Sequence, residues 1–340
     1  MYNKMKDLIL PDGYVSPLSL KENQRATEFT RARFQKNLGS ALNLIRVTCP
    51  LFVTAASGIN DDLNGVERKV EFDIKNIEGT AQVVQSLAKW KRTALYRYSF
   101  EPGEGLYTNM SAIRRDDDVD SLHSIYVDQW DWERVINRED RNVDYLKDTV
   151  RSIVKALADT KDEVNAEFPA LTRKMERNVF FITTQELEDM YPEFSSKERE
   201  NAIVKEHETV FLMQIGDVLK SGVKHDGRAP DYDDWKLNGD LLVWNEILGC
   251  AEELSSMGIR VDAETLKEQL KKAGCEERAE LPFHKNILND TYPLSIGGGI
   301  GQSRVCLFML EKAHVGEVQV SVWPEEMYEE CEKHGIYLLK

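Results

Sequence analysis

The sequence predicts an α+β fold with a mainly antiparallel β-sheet flanked by helices. Extended runs follow one another without intervening helices in regions 66–87, 106–133 and 237–261, which favours antiparallel pairing. Apolar residues recur at helical spacing over about 20–40 and near 146–157. Of the 340 residues, 41% are hydrophobic and 30% are charged, so the chain has enough apolar material for a large core.

Local patterns place the individual elements. Ser19–Glu22 forms a capping box that opens the first helix, and Ser195–Glu198 opens a later one. Strands are predicted at 70–74 and 81–85 around a turn at 76–79, and at 106–114, 124–133, 179–183, 210–215, 241–245, about 253–261 and 318–322. Asp262 begins a helix that Gly274 ends. A glycine-rich turn at 297–301 leads into an apolar helix that begins near Gln302.

Composition and charge exclude several classes of protein. Asp and Glu number 59 against 44 Lys and Arg, and the formal charge of −15 disfavours nucleic acid as a partner. No apolar run approaches the ~20 residues of a membrane helix, and the first residues lack the features of a secretory signal. Five scattered cysteines favour reduced thiols over disulfides or a zinc site. We therefore expect a soluble cytoplasmic protein without a membrane partner.

No linker or internal repeat divides the chain. The simplest organisation is one catalytic domain over 1–340. It would carry an N-terminal extension at 1–18 and a mainly helical insertion at 140–208.

Polar residues interrupt two strands that otherwise read as buried. Period-two alternation places Gln129, Asp131 and Glu133 on one face of the strand at 124–133. An edge strand with one wet face is the alternative. Arg114 ends the preceding strand and suits forked contact with a carboxylate or phosphate, although an ion pair with the adjacent Asp116–Asp118 fits the sequence equally well.

Carboxylates and arginines concentrate in two further segments, 225–240 and 252–260. Hard carboxylates beside arginine suit Mg²⁺ with bound phosphates, because Mg²⁺ takes one or two carboxylates together with phosphate oxygens and water. A solvated hairpin surface is the alternative, but it fits poorly with the apolar run at 241–244. The six histidines lack metal-site spacing, and no serine-hydrolase elbow occurs.

A glycine-rich run precedes Arg304 near the start of the apolar helix. Glycines let the backbone approach a ligand, and a helix start offers free N–H groups. The run is neither a P-loop nor a dinucleotide fingerprint, and plain packing is an alternative. Lys89, Lys91 and Arg92 form a second cationic group, for which a solvated basic patch is the alternative.

Taken together, these motifs resemble ammonia-dependent asparagine synthetase, the aspartate–ammonia ligase of the AsnA type. The resemblance is carried by segments at Gly58–Gly65, Ser86–Arg92, Gly103–Thr108, Tyr126–Glu133, Arg228–Trp235, Leu237–Asn245, Glu253–Asp262 and Ile296–Arg304. It implies a catalytic core similar to class II aminoacyl-tRNA synthetases, acting as a homodimer. The implied reaction joins L-aspartate and ammonia with ATP through a β-aspartyl-adenylate, releasing L-asparagine, AMP and diphosphate.

The resemblance also implies roles for individual residues. Arg114 and Arg304 would act on the α-phosphate, and Lys91 on the β-carboxylate and the adenylate oxygen. Asp61, with Asp233 as second choice, would take the proton from ammonium. The implied nucleotide-binding residues are Arg114, Asp240, Glu253, Ser255 and Arg304, with Mg²⁺ held by Asp240 and Glu253. The implied aspartate-binding residues are Ser86, Gln129, Asp131, Asp233, Ser256, Arg260 and Gly298.

Two other functions compete with this interpretation. A synthetase relative that charges tRNA would need a basic surface or an anticodon-binding domain, and the charge of −15 disfavours it. A silent sensor of ATP or an amino acid predicts the loss of a phosphate- or metal-binding residue, whereas Arg114, Asp240, Glu253 and Arg304 are all present. Ammonia rather than glutamine is the expected nitrogen donor.

Overall fold

The computed structural model describes residues 8–63 and 67–340, and within these ranges the strands form two sheets. The strands are β1 Leu44–Arg46, β2 Phe52–Thr54, β3 Glu71–Ile74, β4 Ile77–Val83, β5 Gly105–Ile113, β6 Tyr126–Val135, β7 Phe180–Thr183, β8 Thr209–Met213, β9 Asp233–Asn245, β10 Cys250–Arg260 and β11 Ser295–Gly301. A small sheet has the order β2-β4-β3, and the large sheet has the order β1-β5-β6-β11-β10-β9-β8-β7.

The large sheet is mixed. Strands from β5 across to β8 pair antiparallel, whereas β1 pairs parallel with β5, and β7 pairs parallel with β8. Parallel neighbours need a crossover connection, and both edge pairs have helices between their strands in the chain. The predicted α+β class is therefore confirmed, while the prediction of a mainly antiparallel sheet is only partly right, because it misses the two edges.

The helices cover and flank these sheets. They are α1 Leu20–Leu42, α2 Ala88–Arg97, α3 Val143–Glu167, α4 Thr184–Met190, α5 Ser196–His207, α6 Ala263–Ala273, α7 Pro282–Leu288, α8 Gln302–Met309 and α9 Glu325–Lys333. Capping boxes at Ser19 and Ser195 begin α1 and α5, and α6 runs from its cap at Asp262 to a left-handed Gly274, as predicted. Among the described residues, no helix has both the length and the apolar character that crossing a bilayer requires.

The main core lies between the large sheet and the helices α1, α3 and α8. Trp130 and Trp132 of β6 are fully buried there, and the ring of Phe34 from α1 meets Trp130 edge-on at 4.7 Å. Side chains alternate between the two faces of a strand, so the intervening Gln129 and Asp131 point to the opposite face of the sheet. Since β6 lies between β5 and β11, the alternative of an edge strand is wrong.

Several predicted elements differ from the structure. Residues 297–301, predicted as a turn, belong to strand β11, and residues 318–322, predicted as a strand, have no strand partner among the described residues. The glycines wrongly predict a turn, because they are present to leave space for neighbouring side chains. The alternating valines wrongly predict a buried strand, because Val320 and Val322 are exposed. The hairpin turn is also shorter than predicted, since β4 already begins at Ile77.

Two predicted regions extend beyond the described residues. Residues 1–7 of the proposed N-terminal extension lie outside them, as do Asn64 and Gly65 of the Gly58–Gly65 segment. The proposed insertion at 140–208 contains α3, β7, α4 and α5.

Candidate active site

A cavity of about 450 Å³ lies on the face of β6, β10 and β11 opposite the buried tryptophans. Twelve of the fourteen predicted site residues line it: Asp61, Ser86, Lys91, Arg114, Gln129, Asp131, Asp233, Glu253, Ser256, Arg260, Gly298 and Arg304. The other two lie just behind the wall. Asp240 pairs with Arg228, which does line the cavity, and Ser255 Oγ donates a hydrogen bond to the Gly299 carbonyl at 3.0 Å.

Lys91 holds the floor of the cavity together. Its ammonium is bound to the carboxylate of Asp131 and donates to the Gly298 carbonyl oxygen at 2.7 Å, and its side chain is 1% exposed. The second carboxylate oxygen of Asp131 has no hydrogen-bond partner among the described residues. A buried carboxylate with a free oxygen, next to a buried cation, suits recognition of a small zwitterion.

Arg260 forms the second charged group of the floor. Its Nε lies 3.0 Å and one terminal nitrogen 2.8 Å from the two oxygens of Glu133, and its other terminal nitrogen binds Asp233. Ser295 Oγ adds a hydrogen bond to Glu133 at 2.7 Å. Burial opposes ionisation of Glu133, but the adjacent charge of Arg260 holds the pKa of its carboxyl below the usual range. The guanidinium is thereby fixed in one orientation.

Two glycines of β11 make room for these side chains. A Cβ on Gly297 would lie 1.9 Å from Glu133 Oε2, and a Cβ on Gly299 would lie 2.5 Å from Gln129 Oε1. Both approaches are shorter than any real contact. Glycine is therefore required at positions 297 and 299 by the side chains of Glu133 and Gln129, in addition to any close approach of a ligand.

Arg114 and Arg304 both line the cavity and are partly exposed. Arg114 donates only to the Gln85 carbonyl, at 3.4 Å, and no carboxylate of the described residues lies within ion-pair distance of it. The alternative of an ion pair with the Asp run is wrong, because no aspartate of Asp116–Asp118 lies within ion-pair distance of Arg114 and Asp116 pairs with Arg68, although the charge of Arg114 opposes the raised pKa of Asp117. Arg304 donates to the Glu253 carbonyl at 3.0 Å and lies 3.5 Å from its carboxylate. Both guanidinium groups keep donors for a phosphate.

Asp240 and Glu253 form an acidic pair near Arg304. Burial and the negative charge of Glu253 together raise the pKa of the Asp240 carboxyl to about 7, against the opposing effect of Arg228. Two neighbouring carboxylates are a donor set that would suit Mg²⁺, a cation that prefers oxygen ligands. No group of three or more His, Cys, Asp or Glu within residues 8–63 and 67–340 is arranged to hold a metal by protein ligands alone.

Asp61 lies on the cavity wall with one oxygen available. Its Oδ1 accepts a hydrogen bond from the Leu63 amide at 3.1 Å, and its Oδ2 has no partner among the described residues. The side chain is nearly fully buried, and this burial raises the pKa of its carboxyl above the usual range. A carboxylate of this kind can bind a small cation and accept its proton.

The cationic group at Lys89, Lys91 and Arg92 is buried, so its interpretation as a solvated patch is wrong. These residues belong to α2, a helix that the sequence analysis did not predict. Arg92 donates to the Val261 carbonyl at 2.7 Å and to the Pro293 carbonyl at 3.0 Å, which ties α2 to the segments after β10 and before β11.

Some lining residues were not singled out from the sequence. Arg228 lies in the segment 225–240, from which the family resemblance selects Asp233 and Asp240 as site residues, and it binds Asp240. Asp128 accepts hydrogen bonds from the Ser303 amide at 3.1 Å and from Gln319 at 3.2 Å. The polar Gln319 within the apolar run 318–322 was the available signal, but it was assigned to a strand.

Comparison with known proteins identifies the family. The sequence profile described as aspartate–ammonia ligase matches residues 21–335. The chain belongs to the aspartate–ammonia ligase family. The aspartate–ammonia ligases of Clostridium tetani and Lactobacillus acidophilus are 59% and 58% identical over 333 and 334 residues, covering 98% of this chain and 98% and 99% of theirs. The family predicted from the motifs is therefore confirmed, and with it the enzyme class.

Solved structures confirm the likeness in fold. Asparaginyl-tRNA synthetase from Pyrococcus horikoshii, complexed with asparaginyl-adenylate, matches with a TM-score of 0.64 at 15% identity, over 90% of this chain and 70% of that chain. The Entamoeba histolytica enzyme, also in complex with asparaginyl-adenylate, has a TM-score of 0.63 at 14% identity, over 88% and 66%. At these identities the similarity shows that this aspartate–ammonia ligase family member shares the synthetase fold, as predicted.

Proposed function

We propose that this chain forms L-asparagine from L-aspartate and ammonia through a β-aspartyl-adenylate. A β-carboxylate oxygen of aspartate bonds to the α-phosphorus of ATP, and the bond from that phosphorus to the bridging oxygen breaks, releasing diphosphate. Ammonia then adds to the activated carbonyl carbon, and AMP leaves with the transferred oxygen. One observation carries the proposal: a single cavity combines available phosphate-binding arginines, a charged floor for an amino acid and a buried carboxylate with a free oxygen.

The first step joins two anions, so charge neutralisation is its main requirement. Arg114 and Arg304 have uncommitted donors on the cavity wall and would hold the α-phosphate in a forked geometry. Lys91 would bind the β-carboxylate and the adenylate oxygen by exchanging part of its contact with Asp131. Asp240 and Glu253 would hold Mg²⁺, which supplies positive charge to the phosphate oxygens when bound.

Recognition of aspartate requires partners for an α-amino and an α-carboxylate group. Asp131 and Gln129 offer acceptors for the amino group, and Arg260 offers a fixed guanidinium for the carboxylate. The proposed site also includes Ser86, Asp233, Ser256, the Gly298 carbonyl and Ser255 on the nucleotide side.

The second step needs neutral ammonia, whose lone pair is occupied in ammonium. Asp61 would bind ammonium through its free Oδ2 and take up one proton. Asp233 is the weaker candidate, because its carboxylate is already bound to Arg260. Burial raises the pKa of the Asp61 carboxyl, which increases its affinity for a proton.

Incubation with aspartate, ATP, Mg²⁺ and ammonium tests the proposal directly. We expect aspartate-dependent AMP and diphosphate in equal amounts with asparagine, and diphosphate–ATP exchange without ammonium. Asp61→Asn should reduce asparagine release far more than exchange. ADP as the product would exclude the adenylate, and equal losses of exchange and release in Asp61→Asn would place Asp61 in the first step.

We further propose a homodimer that uses the small sheet. Leu51, Phe52, Phe72 and Ile77 of this sheet region are exposed, and such apolar patches mark protein interfaces. Sedimentation analysis should find a dimer that Phe52→Asp weakens. Phe194→Asp is a matched control, since both phenylalanines are 45% exposed. A monomeric wild-type protein, or equal effects of both variants, would contradict the interface.

We also propose a domain organisation and a cellular location for this protein. We place residues 1–340 in one catalytic domain, because α3 of the proposed insertion packs into the same core as α1 and β6. We propose a cytoplasmic location because the chain belongs to a family of amino-acid ligases, and cell fractionation tests it.

A further inference from the structure

A buried group of charges gathers around Asp231, outside the cavity lining. Lys89 of α2 places its ammonium 3.1 Å from Asp231 Oδ2, with side-chain exposures of 2% and 0%. The same oxygen lies 3.1 Å from Nε2 of the buried His284 in α7 and 3.3 Å from a guanidinium nitrogen of Arg278. Helix α2, the segment of Asp231 and the segment 278–284 therefore meet at one carboxylate oxygen. The step proposed above for ammonia assigns none of these residues a role.

This group is joined to the segment of Asp61 through Arg278, whose guanidinium contacts Asp231 at 3.3 Å and lies 3.8 Å from the carboxylate of Asp62. The groups that act on the Asp61 carboxyl are the ammonium of Lys89, the carboxylate of Asp231, the Tyr232 side chain and the Leu63 amide. Lys89 favours the ionised form of Asp61, whereas burial and Asp231 favour the protonated form. Lys89 is thus the cation shared between two buried carboxylates.

The balance matters because a protonated Asp61 can neither attract ammonium nor accept a proton. An unpaired buried carboxylate becomes neutral instead of remaining charged. Removing an opposite charge typically moves the pKa of a carboxyl by one or more units. Lys89 is not among the residues that line the cavity and its ammonium is paired with Asp231, so we expect its charge to affect Asp61 more than the substrates.

We infer that Lys89 is a positioning residue for the nitrogen-transfer step: Asp231, itself bound to His284 and Arg278, holds its ammonium where it keeps Asp61 able to deprotonate ammonium. The inference rests on the proposed function and deepens it. A purely structural role, in which the ion pair only joins α2 to α7, is the competing explanation. The two differ in what happens to the pH dependence of the second step.

The test compares Lys89→Met with Asp231→Asn. Lys89→Met should move the acidic limb of the ammonia-dependent rate to higher pH by about one unit, a loss of about tenfold at a fixed pH on that limb. Asp231→Asn should move the limb to lower pH, because Lys89 then acts more strongly on Asp61. Diphosphate exchange, which reports the first step, should change less than about threefold in both variants.

Two controls separate charge from packing. Lys89→Arg keeps the charge and should keep the wild-type profile. Lys161→Met removes another buried lysine, whose ammonium lies 3.2 Å from the carboxylate of Glu311 and which does not line the cavity. This variant should be less stable than the wild-type protein but should keep its pH–rate profile. Hydroxylamine, which is mainly unprotonated at neutral pH, should restore activity to Lys89→Met because it needs no base.

Several results would overturn the inference. Unchanged profiles in Lys89→Met and Asp231→Asn would leave a structural role only, as would shifts in the same direction. Loss of exchange equal to the loss of amide formation would place Lys89 in the first step. If Lys89→Met does not fold, the inference is tested by Asp231→Asn alone, in which the acidic limb of the ammonia-dependent rate should move to lower pH. Absence of exchange in the wild-type enzyme would instead refute the proposed function, so the two failures are distinguishable.

Discussion

Replacing Glu133 by glutamine would remove one negative charge from beneath the cavity while keeping the shape of the side chain. Glu133 is fully buried and receives hydrogen bonds from Arg260 at 2.8 and 3.0 Å and from Ser295 at 2.7 Å. The new amide would direct N–H groups at Arg260 or Ser295, whichever way it turned. Arg260 would retain Asp233 as its only carboxylate partner among the described residues.

The cost follows from the burial of both partners. Breaking a buried ion pair by removing one charge typically costs about 3–5 kcal/mol, because the remaining charge stays out of water. Ser295→Ala removes a single hydrogen bond and leaves the charges paired, so we expect about 1 kcal/mol. Since Arg260 lines the cavity, Glu133→Gln should also raise the KM for aspartate, whereas Ser295→Ala should change it little.

Urea unfolding at pH 7, followed by tryptophan fluorescence, measures the stability of both variants. The indoles of Trp130 and Trp132 lie on the same strand, buried in the core, and report its opening. Aspartate-dependent diphosphate exchange measures the effect on binding. A free energy of unfolding within 1 kcal/mol of the wild-type value, with unchanged KM, would show that the pair does not hold the floor. Equal effects of the two variants would contradict the assignment of the cost to charge.

Three further predictions concern other parts of the molecule. Arg304→Ala should slow aspartate-dependent diphosphate exchange about a hundredfold through lost transition-state stabilisation, and a wild-type rate would exclude its role on the phosphate. Gly297→Ala should destabilise the protein by several kcal/mol on urea unfolding, since the new methyl meets Glu133 at 1.9 Å, whereas an ordinary strand glycine gains stability from this change. Burial lowers the pKa of His314 to about 4, below its unfolded value near 6.5, so the unfolded chain binds the extra proton first. Stability should therefore fall by up to about 3 kcal/mol as pH drops from 6.5 to 4, and His314→Gln should flatten this dependence; an unchanged slope would refute it.

Elements whose signals are local were predictable from the sequence. Capping boxes at Ser19 and Ser195 satisfy their own helix starts, and the alternation along β6 separates the buried Trp130 from the cavity-lining Gln129 without help from distant residues. Twelve of the fourteen predicted site residues line one cavity. Their roles were predicted from the family resemblance and not from local patterns.

Features that depend on distant partners were not predictable. The cations of α2 resemble a solvated patch until Asp131, Asp231 and the Val261 carbonyl are known to lie beside them. The glycine-rich run at 297–301 likewise predicts a turn when it is considered alone. Its place in a strand depends on the Glu133 carboxylate of the neighbouring strand, which leaves no space for a side chain at Gly297. In both cases the deciding group is more than 35 residues away in the sequence, and propensity carries no information about it.

Strand β11 has a consequence for synthesis of the enzyme. It inserts between β6 and β10, although both of these strands emerge from the ribosome earlier. Until residue 301 has been made, the Lys91 ammonium lacks its carbonyl partner from Gly298 and the sheet has a gap at its centre. A nascent chain therefore exposes two unpaired inner strand edges to chaperones or to other chains, and it cannot complete the cavity before residue 301 has been synthesised.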